Sequence, residues 1–387
     1  MSTEKSIESQ IFDLTVFRNY TKSNFVIFAG LHFAEKHGLD GNKIAYTQTR
    51  FDRVEMRSID EVVHDKKASV KAIVTSAKEG DIYATATLLF LRDYHPYGAE
   101  IGYVFDEQET LCRLVFDLIN RDDGGESNCE RAFASFIIGR AFSESRGVVN
   151  DSSRSAEYYK KAISLGNPMA ELFYYEALGD ITSACRVAGE LIGTYPESHI
   201  LKYYVAYDLY FGINGERDFE GAVSHLCHTA RVERGLDNPE DYYFMSARYL
   251  LGLCYFHGHG VTEDKKTAET LFRFAFTSKT AMCGYAEAMT KLQVDEINNV
   301  TRRAVFELLR KSADYGYVSA VWKTAVCFYY GYGTEKDETL AKRYLSIYRR
   351  KTENGAKAVS DLGESVDKII LTLPDGTPCP DSALFSL

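Results

Sequence analysis

Residues 250–276 read LLGLCYFHGHGVTEDKKTAETLFRFAF, two apolar runs held apart by glycines, a valine and an aspartate. The arrangement recurs along the chain, and each copy is too short to bury its apolar surface except against its neighbours. With Tyr255 as position zero, Gly252 stands at −3, Gly258 and Gly260 at +3 and +5, Asp264 at +9, Ala268 at +13 and Phe272 at +17. On the same ruler Phe142 has Gly139, Gly147, Val148, Asp151 and Tyr159. Leu209 has Ala206, Gly212, Asp218, Ala222 and Leu226, and Phe328 has Ala325, Gly331, Gly333, Asp337, Ala341 and Leu345.

Two degenerate copies, anchored on Leu178 and Leu292, fill the gaps, so successive anchors are 36, 31, 46, 37 and 36 residues apart. The longest spacing contains an insertion, ERGLDNPEDYY, and the shortest has lost the glycine loop, leaving LGDIT. Gly80, Ala84, Leu88 and Leu89 mark a further copy upstream, followed by the insertion DYHPYGAEIGYVF.

Each copy reads as two helices, because apolar residues in YLLGLCYF and TAETLFRFAF recur at three- and four-residue steps. Asp151, Asp218, Asp264 and Asp337 precede the second helix, where a carboxylate accepts free backbone N–H groups and faces the positive end of the helix dipole. Gly258 and Gly260 supply the positive φ that stops the first helix and reverses the chain. Gly252, set opposite Ala268, is expected to let the two helix backbones approach closely.

The chain of 387 residues is 45% hydrophobic, with only seven prolines, enough apolar material for a large core. A formal charge of −10 argues against a broad basic surface for nucleic acid or anionic lipid. The eight cysteines (Cys112, Cys129, Cys185, Cys227, Cys254, Cys283, Cys327 and Cys379) include no CxxC pair and mostly sit in apolar runs, as buried reduced thiols do. The opening MSTEKSIESQIF has no apolar export core, and no run approaches the ~18 apolar residues of a membrane span. A cytoplasmic location is the expectation.

Chemistry-bearing motifs are sparse. His225 and His228 share a helix face beside Cys227, and His257 and His259 flank Gly258. A zinc site needs three or four converging ligands, and no HExxH glutamate accompanies these pairs. HGHG lacks the spacing and lysine of a phosphate loop, and there is no GxSxG elbow. No cofactor is implied. The stretch AKRYLSIYRRK at 341–351 interleaves cations with Tyr344 and Tyr348, a possible nucleic-acid contact or a solvated helix face.

The pattern LG-x-x-Y-x-x-G-x-G-V-x-x-D-x-x-x-A, met by LGLCYFHGHGVTEDKKTA, resembles the Sel1-like repeat, a relative of the tetratricopeptide repeat. The resemblance spans residues 70–355 and is strongest at 250–276, 139–166 and 316–348. It implies an all-α fold, a right-handed α-solenoid of about six or seven antiparallel helix pairs. It also implies a non-catalytic adaptor or scaffold for other proteins. A secreted, cysteine-rich branch of the family ties each unit with a disulfide; the paired cysteines are lacking here, and that feature is not carried over.

In the related tetratricopeptide geometry, positions −6, −2, +1 and +2 of the first helix line the inner, concave face. Here they hold Phe136, Tyr203, Tyr249 and Trp322 at −6, Tyr207 at −2, Tyr210, Phe256 and Tyr329 at +1, and Phe211, His257 and Tyr330 at +2. Aromatic residues there serve either packing between units or the binding of peptide or helical segments of partner proteins.

The expected organisation is a helical cap over 1–65, repeats over 66–355 with insertions near 94–106 and 233–243, and a C-terminal helix and proline-containing tail over 356–387. Protein partners are expected, with nucleic acid disfavoured and self-association not indicated. The alternative is a regulatory component with a metal or small-molecule site near His225, His228 and His257, or a nucleic-acid contact at 341–351.

Overall fold

The computed structural model describes residues 72–91, 115, 117, 128–144, 148–196, 198–230, 241–277 and 280–351. The expected cap at 1–65, the insertion near 94–106, most of that near 233–243 and the tail at 356–387 lie outside the described residues. Fourteen helices, and no strand, occur among the described residues. In chain order they are α1 (72–78), α2 (Ile82–Leu91), α3 (Asn128–Glu144), α4 (Ser152–Ser164), α5 (Ala170–Ala177), α6 (Ile181–Ile192) and α7 (His199–Phe211). They continue as α8 (Phe219–Ala230), α9 (Asp241–His257), α10 (Lys265–Ala275), α11 (Ala281–Val294), α12 (Asn299–Asp314), α13 (Val318–Tyr330) and α14 (Glu338–Lys351). The chain divides into two compact units, and the boundary falls within α7.

In the first unit α2 packs on α3, α3 on α4, α4 on α5 and α5 on α6. Its core is aromatic: Phe136 is fully buried, with its ring 5.8 Å from Tyr159 and 5.2 Å from Phe173. In the second unit every helix from α8 to α13 packs on the one that follows it. Contact between consecutive elements, repeated hairpin by hairpin, is the order of an α-solenoid.

The recurring aspartate builds each hairpin twice over. Its backbone N–H donates to the anchor carbonyl nine residues earlier: Asp151 to Phe142 (3.3 Å), Asp218 to Leu209 (2.9 Å), Asp264 to Tyr255 (2.8 Å) and Asp337 to Phe328 (2.8 Å). Its carboxylate then accepts from the next helix, taking the N–H of Arg154 (3.0 Å), Gly221 (2.9 Å), Lys266 (3.0 Å) with Thr267 (3.1 Å), and Leu340 (2.9 Å). One residue therefore closes the loop and caps the helix, satisfying donors that would otherwise be orphaned.

The short copy differs in register from the sequence expectation. Leu178 is exposed, and the N–H of Asp180 donates to Tyr175 (2.9 Å), so Tyr175 takes the anchor's role. Without the glycine loop the chain reverses through Gly179 alone, at φ +71°, and the closing hydrogen bond spans fewer residues.

A second difference concerns the small residue at −3. A Cβ on Gly252 would lie 2.5 Å from Cε1 of Phe272, at +17, and one on Gly139 would lie 2.7 Å from Tyr159, also at +17. The ring, and not Ala268, occupies the space the glycine leaves. The sequence follows this rule of size: Gly stands with Tyr or Phe, whereas Ala206 and Ala325 stand with Leu226 and Leu345.

The second loop glycine joins one hairpin to the previous one. Gly260 and Gly333 both have φ +69°. A Cβ at Gly260 would strike the Phe219 carbonyl at the start of α8, and one at Gly333 would strike the Arg302 carbonyl in the first turn of α12. Positive φ and close backbone approach coincide at these two positions, and both require glycine.

Candidate partner-binding surface

The aromatic positions of the first helices divide by burial according to their place in the last turn. At +1, Tyr210 is 8% and Phe256 7% exposed, and Tyr329 is half-buried. At +2, Phe211 is 40% and Tyr330 48% exposed, and His257 is also exposed. Adjacent helical residues point about 100° apart, so one member of each pair turns inward and the other outward.

Each +1 ring has an identified packing role. The Tyr210 ring lies 5.3 Å from Phe219, and its hydroxyl is 3.2 Å from Nδ1 of His259. Burial pushes the Tyr210 phenol up to about 12, so it stays a neutral hydrogen-bonding group. Phe256 carries the Lys265 ammonium 5.6 Å from its ring centroid, and Tyr329 carries that of Lys336 at 5.4 Å.

His259, at +4, is the residue whose role the sequence did not indicate. Its ring stacks on Phe219 at 4.3 Å and 15°, and the His257 ring lies 5.2 Å away at 24°. At +4 of the copy anchored on Phe328, Tyr332 is buried under the Arg302 guanidinium, 5.3 Å from the ring centroid. Phe219 and Arg302 both stand at +10 of the preceding copy. The contact from +4 to +10 is thus a recurring joint between hairpins, aromatic in one case and cation–π in the other. Burial, and then the neighbouring His259, hold the His257 imidazole below its usual range.

The remaining predicted residues sit mostly between helices. Tyr249 is half-buried 5.7 Å from Phe272, and Trp322 lies 5.3 Å from Tyr348 of α14. In the first unit Tyr203 and Tyr207 are both half-buried, with ring centroids 6.1 Å apart.

The chemical alternatives gain little from this geometry. Among the described residues no three His, Cys, Asp or Glu side chains cluster closely enough to hold a metal ion. Burial pushes the thiols of Cys185, Cys254, Cys283 and Cys327 up to about 12, leaving them protonated and weakly nucleophilic near neutral pH. On α14, Tyr344 stacks on Phe328 (5.7 Å) and donates its hydroxyl to Asp314 (2.8 Å). With Tyr348 against Trp322, neither tyrosine offers a free stacking platform. No helix among the described residues is long and apolar enough to cross a membrane.

The Sel1 repeat family model matches residues 132–167, 246–277 and 318–347. A Sel1 repeat protein from Oxalobacter formigenes is 17% identical, with 62% of this chain and 95% of that one covered and a TM-score of 0.46. The protective antigen c5321 of uropathogenic Escherichia coli, which displays an SLR fold, is 16% identical, with 84% of this chain and 68% of that one covered and a TM-score of 0.36. A search of curated proteins finds no match. Over the hairpins at 132–167, 246–277 and 318–347 the chain is thus similar to the Sel1 repeat.

Proposed function

We propose that this protein is a non-catalytic adaptor that binds peptide or helical segments of partner proteins through the first helices of its repeats. Sel1 repeats generally mediate contacts between proteins. The observation that carries the reading for this chain is the +2 row of the second unit. Phe211, His257 and Tyr330 are all exposed at equivalent positions, although each follows a +1 residue that already packs its hairpin. Aromatic side chains partly exposed at repeat-equivalent places contribute contact area at low entropic cost.

Tyr249, Trp322 and Tyr329 support this row from between the helices, while Tyr210 and Phe256 hold the turns that present it. Within the first unit, Tyr203 and Tyr207 are the corresponding candidates. The test is affinity capture with the native chain and with a Phe211→Ala, His257→Ala, Tyr330→Ala variant. The three side chains are exposed, so the variant should fold, which circular dichroism checks. Loss of specific partners from the variant supports the reading, and identical partner lists from the two baits overturn it.

A further inference from the structure

A cavity of about 530 Å³ opens among α12, α13 and α14, lined by none of the +2 residues. Its floor is apolar: Val321 and Phe328 are buried, and the half-buried Leu340 and Ile347 stand beside them. Its rim is cationic, with Arg310, Arg343 and Lys351, and the one carboxylate on it, Asp314, already accepts the Tyr344 hydroxyl at 2.8 Å. Arg310 is engaged with Glu307 at 2.8 Å, and the Lys351 ammonium reaches the Gly316 carbonyl at 3.2 Å. The Arg343 guanidinium is exposed and makes no ion pair among the described residues. This excess of positive charge stands on a chain whose formal charge is −10.

We propose that this groove is a second docking site, taking an extended acidic peptide that inserts one large apolar side chain between two carboxylates. The spacing follows from the helix. Arg343 and Lys351 stand a little over two turns apart on α14, about 12 Å along its axis. An extended peptide advances ~3.3 Å per residue, so acidic residues four positions apart match that separation. Alternate side chains of an extended segment share one face, so the residue midway between the two acids points at the floor with them. The recognised pattern is Glu-x-Phe-x-Glu, or its Asp and Leu equivalents. Phe328 and Val321 receive the apolar side chain, and Arg343 and Lys351 receive the carboxylates.

A peptide suits the site better than a nucleic acid. The tyrosines of α14 already pack on Phe328 and Trp322, and the floor made by Val321, Phe328, Leu340 and Ile347 offers no polar side chain to a base edge.

The experiment is fluorescence polarisation with a labelled synthetic peptide, Ser-Glu-Ser-Phe-Ser-Glu-Ser, titrated with the full chain. Saturable binding is expected, lost when the peptide's Phe becomes Ala. Arg343→Glu and Lys351→Glu should each weaken it about tenfold, since each replaces attraction by repulsion at an exposed site. The Arg343 side chain is exposed and makes no ion pair, so Arg343→Glu should not move thermal unfolding, whereas Lys351→Glu also loses the Gly316 contact and should lower it slightly. The Phe211→Ala, His257→Ala, Tyr330→Ala variant should bind this peptide like the native chain, which separates this inference from the adaptor reading. No saturable binding, or binding indifferent to Arg343→Glu, overturns the proposal. So does a labelled oligo-dT that binds more tightly than the peptide with the same dependence on Arg343.

Discussion

Replacing Gly252 by alanine places a methyl carbon 2.5, 2.8 and 3.0 Å from three ring carbons of Phe272, where ordinary contact is about 3.5–4.0 Å. The ring has no room to retreat. It is fully buried, with Tyr249 5.7 Å away and Ala268 and Ala286 in the same cluster. Overpacking of this kind costs about 1–3 kcal/mol. Alanine returns ~0.8–1 kcal/mol through its better helix propensity, so the clash leaves Gly252→Ala destabilising by up to about 2 kcal/mol.

With Phe272→Leu already present, the pair becomes the Ala and Leu found at Ala325 and Leu345. The same Gly252→Ala change should then stabilise by up to ~1 kcal/mol, because only the propensity term remains. The sign reversal is the test, and it corresponds to a coupling of about 2 kcal/mol between neighbours. Urea unfolding of the four proteins followed by circular dichroism measures it, with the slope checked for constancy. An equal cost of Gly252→Ala in both backgrounds would refute the size rule.

Gly333→Ala should cost about 2 kcal/mol or more, because a strained φ is joined by a collision with the Arg302 carbonyl. Gly331→Ala meets nothing nearer than 3.3 Å and should cost about 1 kcal/mol, so the order of the two melting temperatures checks the joint between hairpins. Asn298 accepts the N–H groups of Val300 (2.9 Å) and Thr301 (3.0 Å) at the start of α12, and Asn298→Ala should lose about 1 kcal/mol in the same urea assay.

The His257 imidazole is held below its usual range, so the unfolded chain takes up the proton more readily. Its share of stability is therefore full above about pH 6.5 and declines as the pH falls through that value. Glu263 opposes this shift, whereas His259 and Lys265 reinforce it. Melting temperatures at about pH 7.5 and 5.5 should differ less in His257→Asn than in the native chain. An unchanged difference would mean that other groups set the acid limb.

The parts of this fold legible in the sequence are those made by neighbours along the chain. A capping aspartate and a glycine at positive φ act over fewer than ten residues, so their recurrence from Asp151 to Asp337 marks the hairpins in the sequence itself. The apolar steps between them identified the helices for the same reason. Three features depend on how separate helices meet. The ring of Phe272, and not Ala268, fills the space at Gly252, because a side chain's reach across a hairpin depends on the rotation and offset of both helices.

The inward turn of Phe256 beside the outward turn of His257 has the same origin. Both fit the aromatic pattern equally well, and only packing decides which side of the helix faces a neighbour. The stacking of His259 on Phe219 joins residues 40 positions apart, and no local spacing rule encodes it. Short-range hydrogen bonding and periodicity thus determined the repeat and its turns from the sequence alone. The choice of which aromatic residues are buried in packing and which are left exposed was made by contacts between helices, which exist only once the hairpins have stacked.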